Sequence, residues 1–188
     1  MSEHKMNLKD LKIDKSWSIF LDRDGVINVK RDNDYVKTVE EFIFIEGAQK
    51  AIQCVSSVFG RMLLVTNQQG VGKGIMSHDD LKLVHDFMEA ELEKSNSIFD
   101  RLYYCPALAA ENSPSRKPNI GMAVQAKQDF PEIDFQKSIL VGDSITDIKM
   151  GKRAGMKTVF IHSALENPEN ADLVVKSLAD FSVLLENR

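Results

Sequence analysis

The sequence predicts an α/β fold built on a mostly parallel sheet. Strand-like and helix-like patterns alternate along the chain, as in successive βαβ units. The run Ile19-Phe20-Leu21 is uninterrupted and apolar, which suits a strand buried on both faces. Polar residues recur just beyond the strand-like runs, where open α/β sheets bind ligands.

Taken in order, residues 1–16 are polar and mixed in charge and read as a lead-in. Residues 17–188 read as one domain. The first strand is expected over 17–21, ending at Asp22-Arg23-Asp24-Gly25. A long connection over 23–45 holds Tyr35-Val36 and Phe42-Ile43-Phe44-Ile45. Ala48, Ala51, Ile52, Val55, Val58 and Phe59 then fall on one helical face, with Gly60 as a left-handed stop. The second strand, 62–65, leads into Thr66-Asn67. A glycine-rich loop over 70–74 precedes a helix running from Ser77 to about residue 92, with Asp80 completing a capping box.

The third strand is expected over 99–104, followed by an irregular loop over 105–118 with three prolines. A helix over 121–129 and a fourth strand over 138–141 lead to Gly142-Asp143. Ser144 and Asp147 cap the next helix, which Gly155 ends. A fifth strand over 158–161, a short strand over 173–175 and a helix over 177–186 complete the chain.

The bulk numbers bound the function. The chain has 188 residues, 43% hydrophobic and 28% charged, enough for one domain with a substantial core. A net charge of −4 gives no support for binding nucleic acid or an anionic membrane. Two cysteines make no disulfide framework and fit a reducing compartment. No signal-peptide core or membrane-length apolar run is present, so a cytoplasmic location is expected.

Four polar sets lie at strand exits or in the following loops: Asp22 with Asp24, Thr66-Asn67, Arg116-Lys117, and Asp143 with Asp147. Asp22, Asp24 and Asp143 offer hard oxygen ligands, which suits Mg²⁺. A carboxylate nucleophile can form an aspartyl-phosphate if a metal and Lys117 screen its charge from the incoming phosphate. A second acid nearby can protonate the leaving oxygen and then activate water. Thr66 can hold a phosphoryl oxygen through its hydroxyl and amide. Gly70 to Gly74 is no nucleotide P-loop: Asn67 stands where its first glycine belongs, and Gly74 where Ser or Thr must follow the lysine. The histidines do not cluster, and His85 reads as the edge of the core.

Asp22-Arg23-Asp24-Gly25, Thr66-Asn67, Lys117 and Gly142-Asp143-Ser144-Ile145-Thr146-Asp147 resemble, in order, the four motifs of the haloacid dehalogenase superfamily. Phe20 to Asn28, Tyr35-Val36, Val65-Thr66-Asn67-Gln68, Tyr103-Tyr104-Cys105-Pro106 and Arg116-Lys117-Pro118 are further similar to the D-glycero-D-manno-heptose 1,7-bisphosphate phosphatase family, a group close to the histidinol-phosphate phosphatases. The resemblance implies a Rossmann-like sheet of order 5-4-1-2-3 with helices on both faces and no large cap domain. It implies Asp22 as nucleophile and metal ligand, and Asp24 as general acid and base with its carbonyl on the metal. Thr66 and Lys117 would bind the transferring phosphoryl group, and Asp143 would complete the Mg²⁺ site, with Asp147 behind it. Arg116 would reach the second phosphate or the sugar, and Asn67 and Lys73 are further candidates for substrate contact.

Many relatives carry a zinc-stapled loop of four ligands before Arg-Lys-Pro. Here the corresponding positions are Cys105, Ala107, Ser113 and Ser115, so no zinc is expected. The implied substrate is a small phosphorylated sugar, acted on by a monomer with neither nucleic acid nor membrane as partner. The competing readings are a histidinol-phosphate phosphatase, a polynucleotide 3′-phosphatase, which the net charge argues against, and a non-catalytic sugar-phosphate-binding module.

Overall fold

A computed structural model describes residues 6–167 and 170–188. Of the lead-in expected over 1–16, residues 1–5 lie outside the described residues. Six parallel strands form the sheet: β1 (Ser18–Leu21), β2 (Arg61–Asn67), β3 (Arg101–Cys105), β4 (Ser138–Gly142), β5 (Lys157–Ile161) and β6 (Leu173–Val175). Their order is β3-β2-β1-β4-β5-β6. The expected order 5-4-1-2-3 is contained in it. The correction is at the edge, where β6 pairs with β5 through Phe160 and Val174 and extends the sheet to six strands.

Among the described residues six α-helices accompany the strands: α1 (Ala48–Val58), α2 (Gln69–Gly72), α3 (His78–Glu93), α4 (Gly121–Asp129), α5 (Ile145–Ala154) and α6 (Leu178–Glu186). The two-residue period of the strands divides the core into two layers. Ile19, Leu21, Leu64, Ile139, Val141 and Val159 face Ile52 and Val55 of α1, Val84 and Met88 of α3, and Phe181 and Leu185 of α6. Phe20, Leu63, Val65 and Leu140 point the other way, onto Met122, Ala123 and Ala126 of α4 and Met150 of α5. Strands so covered must be apolar on both faces, which is why their runs are uninterrupted.

Caps fix where the helices begin. Ser77 Oγ accepts from Asp80 N at 3.0 Å while Asp80 Oδ2 accepts from Ser77 N at 2.8 Å, the capping box expected for α3. Gly155, at φ 83°, ends α5 in the left-handed conformation as expected. Gly60 corrects the reading. It has no positive φ; α1 closes at Val58 and the chain leaves through an extended Phe59. The glycine is needed because any Cβ there would overlap the carbonyl oxygen of Lys15. The glycine-rich segment after β2 is also tighter than a loop, since residues 69–72 coil into α2. The third strand starts at Arg101 and continues one residue further than expected, to Cys105, which pairs with Asn67.

The topology creates the crevice. β1 lies between β2 and β4, with Leu21 level with Leu64 on one side and Val141 on the other. The winding reverses there, so the ends of β1, β2 and β4 open on a common space. The connections 22–47 and 106–120 hold only bridges and single 3-10 turns, so no large cap covers that end among the described residues.

Gly60→Ala forces a methyl group onto backbone that cannot yield. It is expected to destabilise the chain by about 1–3 kcal/mol, read as a lowered urea midpoint at unchanged m-value.

Candidate active site

Asp22 follows β1, and its amide still donates to Val141 O of β4 at 3.0 Å, so the ladder sets its place. Its Oδ1 accepts from Arg23 N at 2.7 Å and lies 2.8 Å from Lys117 Nζ. Lys117 is 2% exposed. Its ammonium also reaches Asp147 Oδ1 at 2.6 Å and the Val65 carbonyl of β2 at 2.9 Å. Asn67 fixes the backbone of that lysine from β2: its Oδ1 accepts from Lys117 N at 3.0 Å and its Nδ2 donates to Lys117 O at 3.1 Å. The bond from Lys117 to Pro118 is cis.

Asp147, fully buried at the start of α5, serves two purposes. One oxygen pairs with Lys117, while Oδ2 accepts from Ser144 N at 3.0 Å and from Ser144 Oγ at 2.5 Å. The helix cap and the charge pair are thus the same carboxylate. Asp143 stands beside it, its Oδ2 2.6 Å from Lys30 Nζ. Gly25, at φ 80°, passes so close to Asp143 that a Cβ would overlap the carboxyl.

Asp22, Asp143 and Asp147 each offer an oxygen within 4.8 Å of the others. Burial pushes Asp22 up to about 7 against the attraction of Lys117, with Asp147 and Asp143 adding to the rise. Asp143 is likewise raised by burial, against the pull of Lys30. Burial works to lower Lys117, but Asp147 and Asp22 outweigh it and hold the ammonium above the ordinary lysine range. Three acids around one buried lysine therefore carry surplus negative charge. Asp143 Oδ1 is also buried with no hydrogen-bond partner. An orphaned carboxylate oxygen beside two further hard ligands fits a divalent cation such as Mg²⁺.

The carboxyl group of Asp24 sits apart from that cluster. It accepts from Arg23 Nη2 at 3.0 and 3.1 Å, from Asn28 Nδ2 at 2.9 Å and from Gln68 Nε2 at 2.9 Å. Burial acts to raise it, but the Arg23 charge and these hydrogen bonds leave it below the ordinary carboxylate range. Thr66 is buried, with Oγ1 accepting from Gln68 Nε2 at 2.9 Å.

A cavity of about 230 Å³ opens over these groups. Asp22, Asp24, Thr66, Asn67, Arg116, Lys117 and Asp143 all line it. Arg116 is braced across its loop by a hydrogen bond from Nη1 to Ala107 O at 2.9 Å. That loop is tied by Ser113, whose carbonyl accepts from Arg116 N at 3.0 Å and from Asn119 Nδ2 at 2.9 Å. Lys73 is not among the lining residues: it is exposed, with Nζ 5.4 Å from the centre of the Tyr35 ring, which does line the cavity. Asp147 lies behind the wall. Sequence reasoning missed Lys30, Arg31, Asp34 and Thr146 on the rim and Arg23 and Gln68 behind Asp24. Arg23 and Gln68 adjoin the motif residues, so adjacency was a usable signal; nothing local marked Lys30.

A family model described as "HAD-hyrolase-like" matches residues 114–181. The D-glycero-D-manno-heptose-1,7-bisphosphate 7-phosphatase of Chlorobaculum tepidum is 38% identical over 157 residues, covering 77% of this chain and 78% of its own. The D-glycero-beta-D-manno-heptose-1,7-bisphosphate 7-phosphatase of Haemophilus ducreyi is 34% identical, covering 87% of this chain and 94% of its own. The crystal structure of D,D-heptose 1.7-bisphosphate phosphatase from B. bronchiseptica, complexed with magnesium and phosphate, superposes with a TM-score of 0.82 at 27% identity. It covers 91% of this chain and 98% of that one.

Two outcomes are expected. Asp147→Ala removes one of the two carboxylates on a buried lysine together with a helix cap. It should cost about 3–5 kcal/mol in urea denaturation without metal. His85 of α3 is 6% exposed and meets Arg23 Nη1 at 3.1 Å. Burial, then the neighbouring guanidinium, lowers it from 6.5 to about 3. The unfolded chain takes up a proton here below pH 6.5 that the native state refuses. The stability from this site is therefore complete above pH 6.5 and falls toward pH 3, by at most about 1.4 kcal/mol per pH unit. Stability measured from pH 7 to pH 4 should fall less steeply in His85→Gln.

Proposed function

This chain belongs to the haloacid-dehalogenase-like phosphatases, among the heptose 1,7-bisphosphate 7-phosphatases, and we propose that it removes the C7 phosphate of D-glycero-D-manno-heptose 1,7-bisphosphate through an aspartyl-phosphate on Asp22. The observation that carries this reading is the buried Lys117 ammonium shared by Asp22 and Asp147 at the floor of the cavity. A carboxylate so held is fixed in place and has its charge screened, which an attack on a phosphate dianion requires.

In the first step an Asp22 carboxylate oxygen attacks phosphorus. Both hydrogen bonds described above fall on Oδ1, so Oδ2 is assigned to the attack. The bond from phosphorus to the sugar oxygen breaks, and Asp24 gives that oxygen a proton. Asp24 rests ionised, but an incoming phosphate dianion favours its protonated form. In the second step Asp24, again a carboxylate, takes a proton from water. The water oxygen attacks phosphorus, the Asp22 bond breaks, and phosphate leaves. Lys117 and Thr66 hold the phosphoryl oxygens through both steps. Asp22, Asp143 and the Asp24 carbonyl are the residues that would hold Mg²⁺, which when bound would neutralise phosphoryl charge.

Arg116, braced toward the cavity from its loop, suits the second phosphate of a bisphosphate. Asn67 supports catalysis by fixing Lys117, and Lys73 stays a substrate contact only for a ligand that extends past Tyr35. The proposal extends to a monomer working in a reducing, cytoplasmic setting on a small sugar phosphate, without nucleic acid or membrane. Unpaired Cys54 and Cys105 support the reducing setting. No helix among the described residues is long and apolar enough to cross a membrane.

Phosphate release with Mg²⁺ from both anomers of heptose 1,7-bisphosphate, with histidinol phosphate alongside, tests the reading. Selective turnover of a heptose anomer is expected. Turnover of histidinol phosphate alone would replace the substrate and keep the mechanism, and tight binding without release would favour a binding module. Asp22→Asn should lose turnover by about 10³-fold or more with an unchanged circular dichroism spectrum, and chelation of Mg²⁺ should abolish release reversibly.

A further inference from the structure

Arg23 stands between the two acids at the exit of β1, yet its side chain is 0% exposed. Nη2 donates to both oxygens of Asp24 and to Gln68 Oε1 at 3.3 Å, and Nη1 meets His85 Nε2 at 3.1 Å. Its Nε has no partner. A guanidinium is planar and rigid, so fixing Nη1 fixes the direction in which Nη2 points. Arginine has only donors to offer, so His85 Nε2 accepts and its proton sits on Nδ1. The imidazole is itself held on α3 with its ring against Tyr104, centroids 6.1 Å apart at 68°. The Asp24 side chain, 25% exposed, lines the cavity.

We infer that His85 is a positioning residue for Asp24, acting through the buried guanidinium of Arg23. This rests on the acid–base reading of Asp24. A charged, fully buried guanidinium is costly to leave unpaired, and His85 is its partner at Nη1, the end away from the site. Without it the guanidinium can rotate, and the carboxyl it carries loses its aim at the leaving oxygen. Proton transfer depends on that aim, while esters that leave without a proton do not.

The test compares kcat/KM for the heptose bisphosphate with kcat/KM for 2,4-dinitrophenyl phosphate, whose leaving group needs no proton. His85→Leu, which removes the acceptor, should lose about tenfold on the sugar ester and under about twofold on the aryl ester. His85→Gln, whose amide oxygen can accept, should restore the sugar ester rate to within about threefold. Equal loss on both esters, or no loss on either, would overturn the positioning role. Asp24→Asn measured alongside should show the same pattern, larger. If Asp24→Asn loses equally on both esters, the acid reading of Asp24 falls, and His85 with it. A normal Asp24→Asn pattern with a flat His85→Leu response overturns His85 alone. Should His85→Leu not fold, Arg23→Lys keeps the buried charge, removes the two-ended reach and carries the same comparison.

Discussion

The arrangement depends on one buried cation. Lys117 places a full charge in the core between Asp22, Asp147 and a carbonyl of β2. Its desolvation would cost several kcal/mol if unpaired, so the chain must bring two carboxylates to it. Those carboxylates come from adjacent strands of the sheet: Asp22 from the end of β1, and Asp147 from the first turn of the helix after β4. The lysine thus ties its own loop to the ends of β1 and β2 and to α5, and Asn67, the last residue of β2, clamps its backbone as well. The strand ends are thereby fixed as parts of one site.

The same pairing explains why the site is incomplete without a counter-charge. Two acids are committed to Lys117, and Asp143 adds a third with one oxygen unpartnered inside the protein. Lys30 supplies part of the missing charge from a half-exposed position on the rim. Burial keeps the proton affinity of Asp22 and Asp143 high, against the pull of Lys117 on the first and Lys30 on the second. Asp24 meets the opposite surroundings. Arg23 and two amides hold it as a carboxylate. Two acids one residue apart are thus given different proton affinities, which suits one to attack and the other to exchange protons.

The loop before Lys117 shows how order arises there. Ser113, Arg116 and Asn119 close it through hydrogen bonds to the backbone, and Pro114 O accepts from Gly121 N at 2.9 Å at the start of α4. The consequence is a braced Arg116 at the mouth of an uncapped cavity. At that mouth Lys30, Arg31 and Tyr35 line the cavity together with Arg116.

The sequence alone determined the α/β class, where the strands fall along the chain, the caps at Ser77 and Gly155, and the four polar sets that line or back the cavity, while the order of five strands came only with the family resemblance. These were legible because burial on both faces demands uninterrupted apolar runs, and because ligands gather at strand ends whatever the details of the loops. Gly60 was misread because a close approach of Lys15, distant in sequence, leaves no local trace. Lys30, the two-fold use of Asp147, the clamp of Asn67 on Lys117 and the reach of Arg23 to His85 were decided only by the tertiary structure. Each is a contact between segments dozens of residues apart, or a choice between two partners for one polar group. Local pattern fixes which residues are polar and where the chain turns; which partner each polar group takes is set by the packing of strands and helices that brings the candidates within hydrogen-bond distance.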